Sequence, residues 1–148
     1  MAKDIQQEKA KIREIFKGFT EEDEKWKYLL KIAREHEGMD PALKDAKFLV
    51  KGCAAKMYLV PEFLDGQLFF HMDTDGGVEN PLFSRGLGVM AIRVFGGATP
   101  QAILDDFAAD AAFFQDIGLT VGLSATRANG FGSLLKQIFM YAQVYSRM

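Results

Sequence analysis

The chemistry of this chain depends first on one cysteine. Cys53 is the only cysteine among 148 residues, and it lies in the segment Gly52-Cys53-Ala54-Ala55. Such a run of small residues favours a loop or bulge that another surface can approach. Lys51 and Lys56 are close in sequence, and a nearby cation favours the thiolate, the nucleophilic form of the side chain. A lone cysteine is more often a small buried apolar residue, so an inert thiol is the competing interpretation.

The single thiol also excludes several kinds of site. No internal disulfide can form, and an iron–sulfur or cysteine-rich zinc site held by this chain alone would need three or four ligands. The two histidines, His36 and His71, have no metal-ligand spacing. Asp73-Thr74-Asp75 could supply half of a metal site, but the pattern fits a hydrogen-bonding turn after a strand better. The sequence therefore predicts no bound metal.

Another polar segment with possible chemistry precedes the last apolar stretch. Residues 124–130 read Ser-Ala-Thr-Arg-Ala-Asn-Gly, in which a hydroxyl can cap the start of a helix. Arg127 is harder to explain, because a cation near a helix N-terminus is unfavourable for the helix dipole. We expect Arg127 to have a partner, either an internal carboxylate such as Asp73 or Asp75 or a group on another protein.

Composition limits the class of protein. Hydrophobic residues make up 49% of the chain and charged residues 26%, with 18 basic and 20 acidic side chains and a net charge of −2. This is globular composition, and the length predicts a single domain over residues 1–148. Without a basic excess, a nucleic-acid partner is not expected. No segment resembles a signal peptide or a membrane span, so the sequence favours a cytoplasmic protein.

The order of elements predicts an α+β fold, with helices packed on a small antiparallel sheet. Helical spacing marks two helices in the first third, the second of them capped by Thr20. Strand-like runs follow at residues 48–50 and 57–60, and an Asp65-Gly66 turn leads to a returning strand at 67–70. The polar segment 73–85 is expected to end the sheet. Helices are then predicted at 87–95, after Thr99-Pro100, at 110–117 and around 131–142.

Three motifs in this order resemble the SufE/CsdE family of sulfur-acceptor proteins. Gly52-Cys53, followed by Met57-Tyr58-Leu59, resembles the family segment in which the cysteine receives sulfur. Asp73-Thr74-Asp75 and then Arg85-Gly86-Leu87 resemble its acidic motif and the basic-Gly-Leu stretch that opens an apolar helix. Residues 123–131 resemble its Leu-Ser-Pro/Ala-Ser-Arg-x-Asn/Gln-Gly-Leu signature. The chain departs from the family at Ala54-Ala55, at Tyr58 in place of Trp, and in a longer segment at 76–84.

The resemblance implies a fold like that of SufE and the iron–sulfur scaffold IscU. It also implies that Cys53 takes persulfide sulfur from a cysteine desulfurase of the SufS/CsdA type, stimulates that enzyme, and passes the sulfur to an iron–sulfur scaffold or another acceptor. Pyridoxal phosphate (PLP) would sit on the desulfurase, and this chain would bind no cofactor. Besides Cys53, the residues expected to support the site or to dock the partner are Gly52, Ala54, Asp73, Asp75, Arg127 and Asn129.

Other functions are consistent with one cysteine. A cluster scaffold of the same fold would need about three cysteines, which this chain lacks. A one-cysteine thiol peroxidase would need a peroxide pocket and an external reductant. A non-catalytic binding module would hold Cys53 as an inert buried residue.

Overall fold

The computed structural model describes residues 2–52, 55–77 and 81–148. This part of the chain forms six α-helices and one two-stranded antiparallel sheet, which confirms the predicted α+β class. None of its helices is both long and apolar enough to cross a membrane. In chain order the elements are α1 (Ile5–Lys17), α2 (Glu22–Glu35), β1 (Ala55–Leu64), β2 (Gln67–Gly77), α3 (Pro81–Phe95), α4 (Pro100–Ala109), α5 (Phe113–Asp116) and α6 (Ala125–Tyr145).

The sheet is a hairpin whose turn follows the sequence signal. Asp65 and Gly66 both have positive φ, 53° and 78°, the conformation that a two-residue hairpin turn requires. The register then sets Tyr58 opposite Asp73 and Leu59 opposite Met72. The predicted turn and returning strand are therefore confirmed, and they fix which side chains share a face of the sheet.

Both edges of this small sheet are partly covered. On β1, Pro61 has no N–H to offer, and the Leu59 carbonyl accepts a hydrogen bond from the Tyr141 hydroxyl on α6 (3.3 Å). On β2, Leu68 exchanges backbone hydrogen bonds with the segment after α3, donating to Ala98 O at 2.8 Å and accepting from Gly97 N at 2.9 Å. The sheet is thus held between α6 on one edge and the end of α3 on the other.

Helix α3 runs through the centre of the core. Met90, Ala91 and Val94 are fully buried, and α3 packs against α2, the hairpin and α6. A Cβ added at Gly86 would come within 2.6 Å of the Leu29 carbonyl oxygen, so the glycine lets α2 and α3 approach closely. The first residues of α3 and the polar end of β2 are thereby brought beside the C-terminus of α2.

The middle of the chain differs from the sequence prediction in two places. Residues 48–50 were expected to form a strand, but Ala46–Phe48 is a 3-10 turn capped by Asp45, and Leu49 makes only an isolated bridge to Tyr58. The sheet was expected to end at Asp73, but β2 continues to Gly77 and α3 already begins at Pro81. Polar residues continue the strand here because cations and backbone N–H groups bind their carboxylates.

Helix caps were predicted with mixed success. Thr99 accepts a hydrogen bond from Ala102 N (3.1 Å), and Ser124 accepts one from Arg127 N (3.2 Å), as expected from their positions. Thr20 is not the cap of α2: the helix begins after Glu21, and the Glu24 carboxylate instead accepts from Thr20 N (3.0 Å). The short helix predicted at 110–117 is limited to Phe113–Asp116.

Candidate functional site

The residues before and after the Cys53 segment are hydrogen-bonded to each other near the start of β1. Cys53 and Ala54, two of the predicted site residues, lie outside the described residues. Before them, Val50 N donates to Met57 O (2.8 Å), and Leu49 pairs with Tyr58. The ends of the stretch 51–56 are therefore closed against each other, which fixes where the chain carrying the only cysteine leaves and rejoins the sheet.

Gly52, the residue before the cysteine, is required by the backbone. Its φ is +80°, a left-handed conformation that a side chain makes costly. A Cβ built there would lie 3.3 Å from Ser133 Oγ on α6, which is tighter than ordinary contact. Glycine is therefore needed at this predicted site position, and the third turn of α6 lies directly beside it.

Asp73 is a nearly buried carboxylate at the polar end of the hairpin. It accepts hydrogen bonds from Thr74 N (2.8 Å) and Met39 N (3.3 Å), and Arg85 of α3 donates to it in an ion pair. Lys44 Nζ lies 3.4 Å from its second oxygen. Burial by itself would raise the pKa of Asp73, but the two backbone N–H groups and the two cations lower it below its ordinary value.

Asp75 lies further along β2 and is more open. Lys44 Nζ donates to it at 2.7 Å, and the Tyr58 hydroxyl donates to its other oxygen at 3.2 Å. The hydrogen bond from Lys44 lowers the pKa of Asp75, and the same contact raises the pKa of Lys44. Burial, followed by the bond to Asp75, raises the pKa of Tyr58. All three groups therefore keep their neutral-pH charge states.

The end of α2 supports this acidic cluster. Arg85 also donates to the carbonyl oxygens of Ala33 (2.9 Å) and His36 (2.6 Å), while His36 Nε2 is hydrogen-bonded to Met72 O (2.8 Å). Gly38 has φ +82°, and a Cβ there would lie 2.5 Å from the Asp73 carboxylate. The chain can pass this close only with glycine, and this passage brings Met39 N to Asp73.

Arg127 lies at the start of α6, where its guanidinium carbon is 4.7 Å from the centroid of the Phe83 ring on α3. Phe83 in turn meets Trp26 of α2 edge to face, with ring centroids 5.8 Å apart. Arg127 was expected to pair with an internal carboxylate such as Asp73 or Asp75, or with a group on another protein. Asp73 and Asp75 are bound by Arg85 and Lys44. Asn129 is exposed on the same first turns of α6.

No three histidine, cysteine or acidic side chains within the described ranges are grouped closely enough to hold a metal ion. His36 is occupied by the Met72 carbonyl, and His71 pairs with Glu62 (2.8 Å) on the exposed face of the hairpin.

Comparisons with known proteins identify the family. A family profile described as "SufE: Fe-S metabolism associated domain" matches residues 10–142. The chain belongs to the SufE family. An uncharacterized SufE-like protein of Synechocystis sp. is 30% identical over 87% of this chain and 76% of its own length. SufE-like proteins of Rhizobium etli and Rhizobium meliloti are each 27% identical, over 82% and 83% of this chain and 80% and 86% of their own lengths.

The fold is found in a solved structure as well. The solution structure of a hypothetical protein from Thermus thermophilus matches with a TM-score of 0.73 at 15% identity, covering 95% of this chain and 97% of that one. At this identity the likeness concerns the fold. Membership of the SufE family, in contrast, confirms the resemblance seen in the three motifs and associates the chain with sulfur transfer in Fe–S metabolism.

Sequence reasoning missed two residues that the SufE fold brings to the acidic cluster. Arg85 was recognised only as part of a motif, and Lys44 was not singled out at all. Arg85 carried a signal, because a cation within an otherwise apolar helix start needs an anionic or carbonyl partner. Lys44 carried none, since a charged residue in a loop ordinarily faces solvent and its contact depends on the 3-10 turn at Pro41–Leu43.

Proposed function

We propose that this SufE-family chain accepts persulfide sulfur on Cys53 from a PLP-dependent cysteine desulfurase and passes it on to iron–sulfur cluster assembly. One observation carries the proposal: the family match over residues 10–142 includes the chain's only cysteine. The exchange would take place in the cytoplasm, and PLP would remain on the desulfurase. The proposal includes stimulation of that enzyme, because removal of its persulfide frees its thiol for another turnover.

The transfer step balances as a thiol–disulfide exchange. The Cys53 thiolate attacks the outer sulfur of the desulfurase persulfide, a new S–S bond forms on Cys53, and the old S–S bond breaks. The partner's cysteine leaves as a thiolate, so that no external oxidant or reductant is consumed. One cysteine is sufficient, and a second thiol in the chain would discharge the product as a disulfide.

The described residues around this stretch have supporting roles in the proposal. The Val50–Met57 hydrogen bond holds the two ends of the 51–56 stretch together, and Gly52 allows the chain to turn beside α6. The exposed Lys51 and Lys56 favour the thiolate of the residue between them. Asp73 and Asp75 fix the polar end of β2 against α3 and Lys44, and this end of β2 pairs with the start of β1.

The decisive test is the mass of the intact protein after incubation with a desulfurase and L-cysteine. The wild type is expected to gain the mass of one sulfur atom, and a reductant should remove it. Cys53→Ser should gain none and should lose desulfurase stimulation, while its melting temperature stays close to that of the wild type. Ser133→Ala, which alters the neighbour of Gly52 and leaves the thiol in place, is the matched control and should still take up sulfur.

Each alternative predicts a different result. A Ser variant that still stimulates sulfur release in the presence of reductant would make the protein an allosteric activator without a sulfur relay. Rapid consumption of hydrogen peroxide with a recycling thiol, without sulfur uptake, would favour the one-cysteine peroxidase. A thiol that resists iodoacetamide in the folded protein would favour the binding module with an inert cysteine.

A further inference from the structure

The described residues bordering the Cys53 stretch carry an unusual set of charges. Residues 44–56 contain four lysines and a single acidic residue, Asp45, in a chain whose net charge is −2. Asp45 is used locally, because its carboxylate accepts from Lys47 N (3.0 Å) at the start of the 3-10 turn. Lys44 is used as well, through its ion pairs with Asp73 and Asp75.

The other three lysines, Lys47, Lys51 and Lys56, form what is called here the lysine rim. All three are exposed, and none makes an ion pair with a residue that the structure describes. The Val50–Met57 hydrogen bond places Lys51 and Lys56 at the two ends of the same closed stretch. Lys47 precedes them in the turn that leads into it, with its ammonium 5.1 Å from the Phe48 ring.

This pattern differs from that of most other lysines in the described ranges. Of the eight lysines outside residues 44–56, five pair with carboxylates, either inside the protein or one helical turn away on the same helix, whereas Lys3, Lys31 and Lys136 form no ion pair with a described residue. Such pairs involve Lys9, Lys11, Lys17, Lys25 and Lys27. A cluster of exposed cations without internal counter-charges keeps a positive potential at the surface, because no neighbouring carboxylate cancels it.

We propose that the lysine rim is a docking surface for an acidic rim around the persulfide of the desulfurase. The inference rests on the proposed function and adds the charge of the partner's surface. Complementary charge brings the two sulfur-carrying residues together faster and in the correct orientation, with less effect on the strength of the final complex. A polyphosphate partner is disfavoured, since three lysines on a chain of net charge −2 neutralise few phosphates.

The experiment measures the second-order rate constant for sulfur transfer from the desulfurase encoded in the same genome, loaded by L-cysteine, at low and at high NaCl. The rim variant carries Lys47→Glu, Lys51→Glu and Lys56→Glu. The matched control carries Lys11→Glu, Lys17→Glu and Lys31→Glu, which change the net charge equally on exposed positions of α1 and α2. Alkylation of Cys53 by uncharged iodoacetamide is measured in parallel, to separate docking from thiol reactivity.

For the wild type, the transfer rate constant should fall about tenfold as salt increases. At about 0.1 M salt, the electrostatic attraction between the two proteins is screened at separations beyond about 10 Å. After division by its alkylation rate, the rim variant should be about tenfold slower than the wild type at low salt. Its rate constant should rise as salt increases, because salt screens the repulsion between the new glutamates and the acidic rim of the partner. The control should behave like the wild type. Neither the wild type nor the rim variant should slow the migration of a short DNA duplex in a gel at physiological salt.

Several outcomes would overturn the inference. If the wild type takes up sulfur but neither salt nor the rim variant alters the rate relative to the control, docking does not depend on the lysine rim. If alkylation slows as much as transfer, the lysines act on the thiolate rather than on the partner. Binding of DNA through the rim would assign it to a polyanion. Absence of sulfur uptake by the wild type at every salt concentration would instead overturn the proposed function.

Discussion

Two clusters of the same composition, each a lysine with two aspartates, lie at different places in this protein. In one, Lys9 of α1 binds Asp106 (2.7 Å) and Asp110 (3.0 Å) at the end of α4, and the Lys9 and Asp106 side chains are 1% and 3% exposed. In the other, Lys44 joins Asp73 and Asp75 beside the Cys53 stretch, and the Asp75 side chain is 39% exposed.

The difference in solvent contact determines what each cluster can do. The buried charges of Lys9 and Asp106 have lost their contact with water and are compensated mainly by each other, so removal of one leaves a poorly compensated charge in the core. Because Asp75 is partly exposed, water can replace Lys44 as its partner. Loss of the Lys44–Asp75 pair should therefore lower the free energy of unfolding only slightly. The Lys9 cluster therefore stabilises the fold, whereas the Lys44–Asp75 pair beside the Cys53 stretch tolerates substitution with little loss of stability.

The largest effect is expected for Asp106→Ala. Lys9 would keep only the partly exposed Asp110, and the free energy of unfolding should fall by about 3 kcal/mol because a buried charge loses its principal partner. Urea unfolding at neutral pH measures this. Glu14→Ala, which breaks an exposed pair with Lys17 on the same helix (3.6 Å), is the control and should cost less than about 1 kcal/mol. Equal losses for the two variants would contradict the comparison.

Asp73→Asn is expected to have an intermediate effect. Asparagine keeps an oxygen for Thr74 N but loses the charge that binds Arg85 and Lys44, so the loss should be about 2 kcal/mol at neutral pH. The pKa of Asp73 is lowered in the folded protein. The stabilisation that ionised Asp73 provides is therefore complete above its pKa in the unfolded chain, near pH ~4. It is lost as the pH falls through its lower pKa in the folded protein.

The gap in unfolding free energy between wild type and Asp73→Asn should accordingly be constant from pH 7 to pH 5 and narrow in more acidic solution. Unfolding curves in urea at a series of pH values measure the gap. A gap that widens on acidification would mean that Asp73 is held protonated, and the charge assignment within the cluster would be wrong.

The smallest effect is expected for Lys44→Gln. Its side chain is 21% exposed and Asp75 is more so, and a pair of this kind contributes less than about 1 kcal/mol. A melting temperature within a few degrees of the wild type, measured beside Asp106→Ala, would support the contrast between the clusters. A loss as large as that of Asp106→Ala would show that both clusters are structural.

Much of the site could be predicted from local sequence signals. The Asp65-Gly66 turn fixes the hairpin, because both residues tolerate positive φ, and the hairpin register then follows. The motifs around Gly52, Asp73 and Arg127 led to the SufE family, which the match over residues 10–142 confirms. These signals are short-range, since turn geometry, caps and helical spacing depend on residues within a few positions of one another.

The partners of the charged residues could not be predicted in this way. Arg127 was expected near Asp73 or Asp75, yet Arg85 and Lys44 reach those carboxylates because α3 and the turn at Pro41–Leu43 pack beside β2. Likewise, residues 48–50 were predicted to form a strand because their side chains are apolar. That prediction did not take into account that Asp45 caps a 3-10 turn at Ala46–Phe48. A long charged side chain reaches several neighbours, and only packing decides among them.

By itself, the sequence determined the fold class, the hairpin, the position of the only cysteine and the family. The tertiary structure decided that Gly38 and Gly52 are required by close approach, and that one lysine–aspartate cluster is buried while the other is partly exposed. It also placed Lys51 and Lys56 of the lysine rim at the two ends of one closed stretch. The reason is physical: backbone preferences act locally, whereas burial and charge pairing depend on residues up to about one hundred positions apart that packing alone brings together.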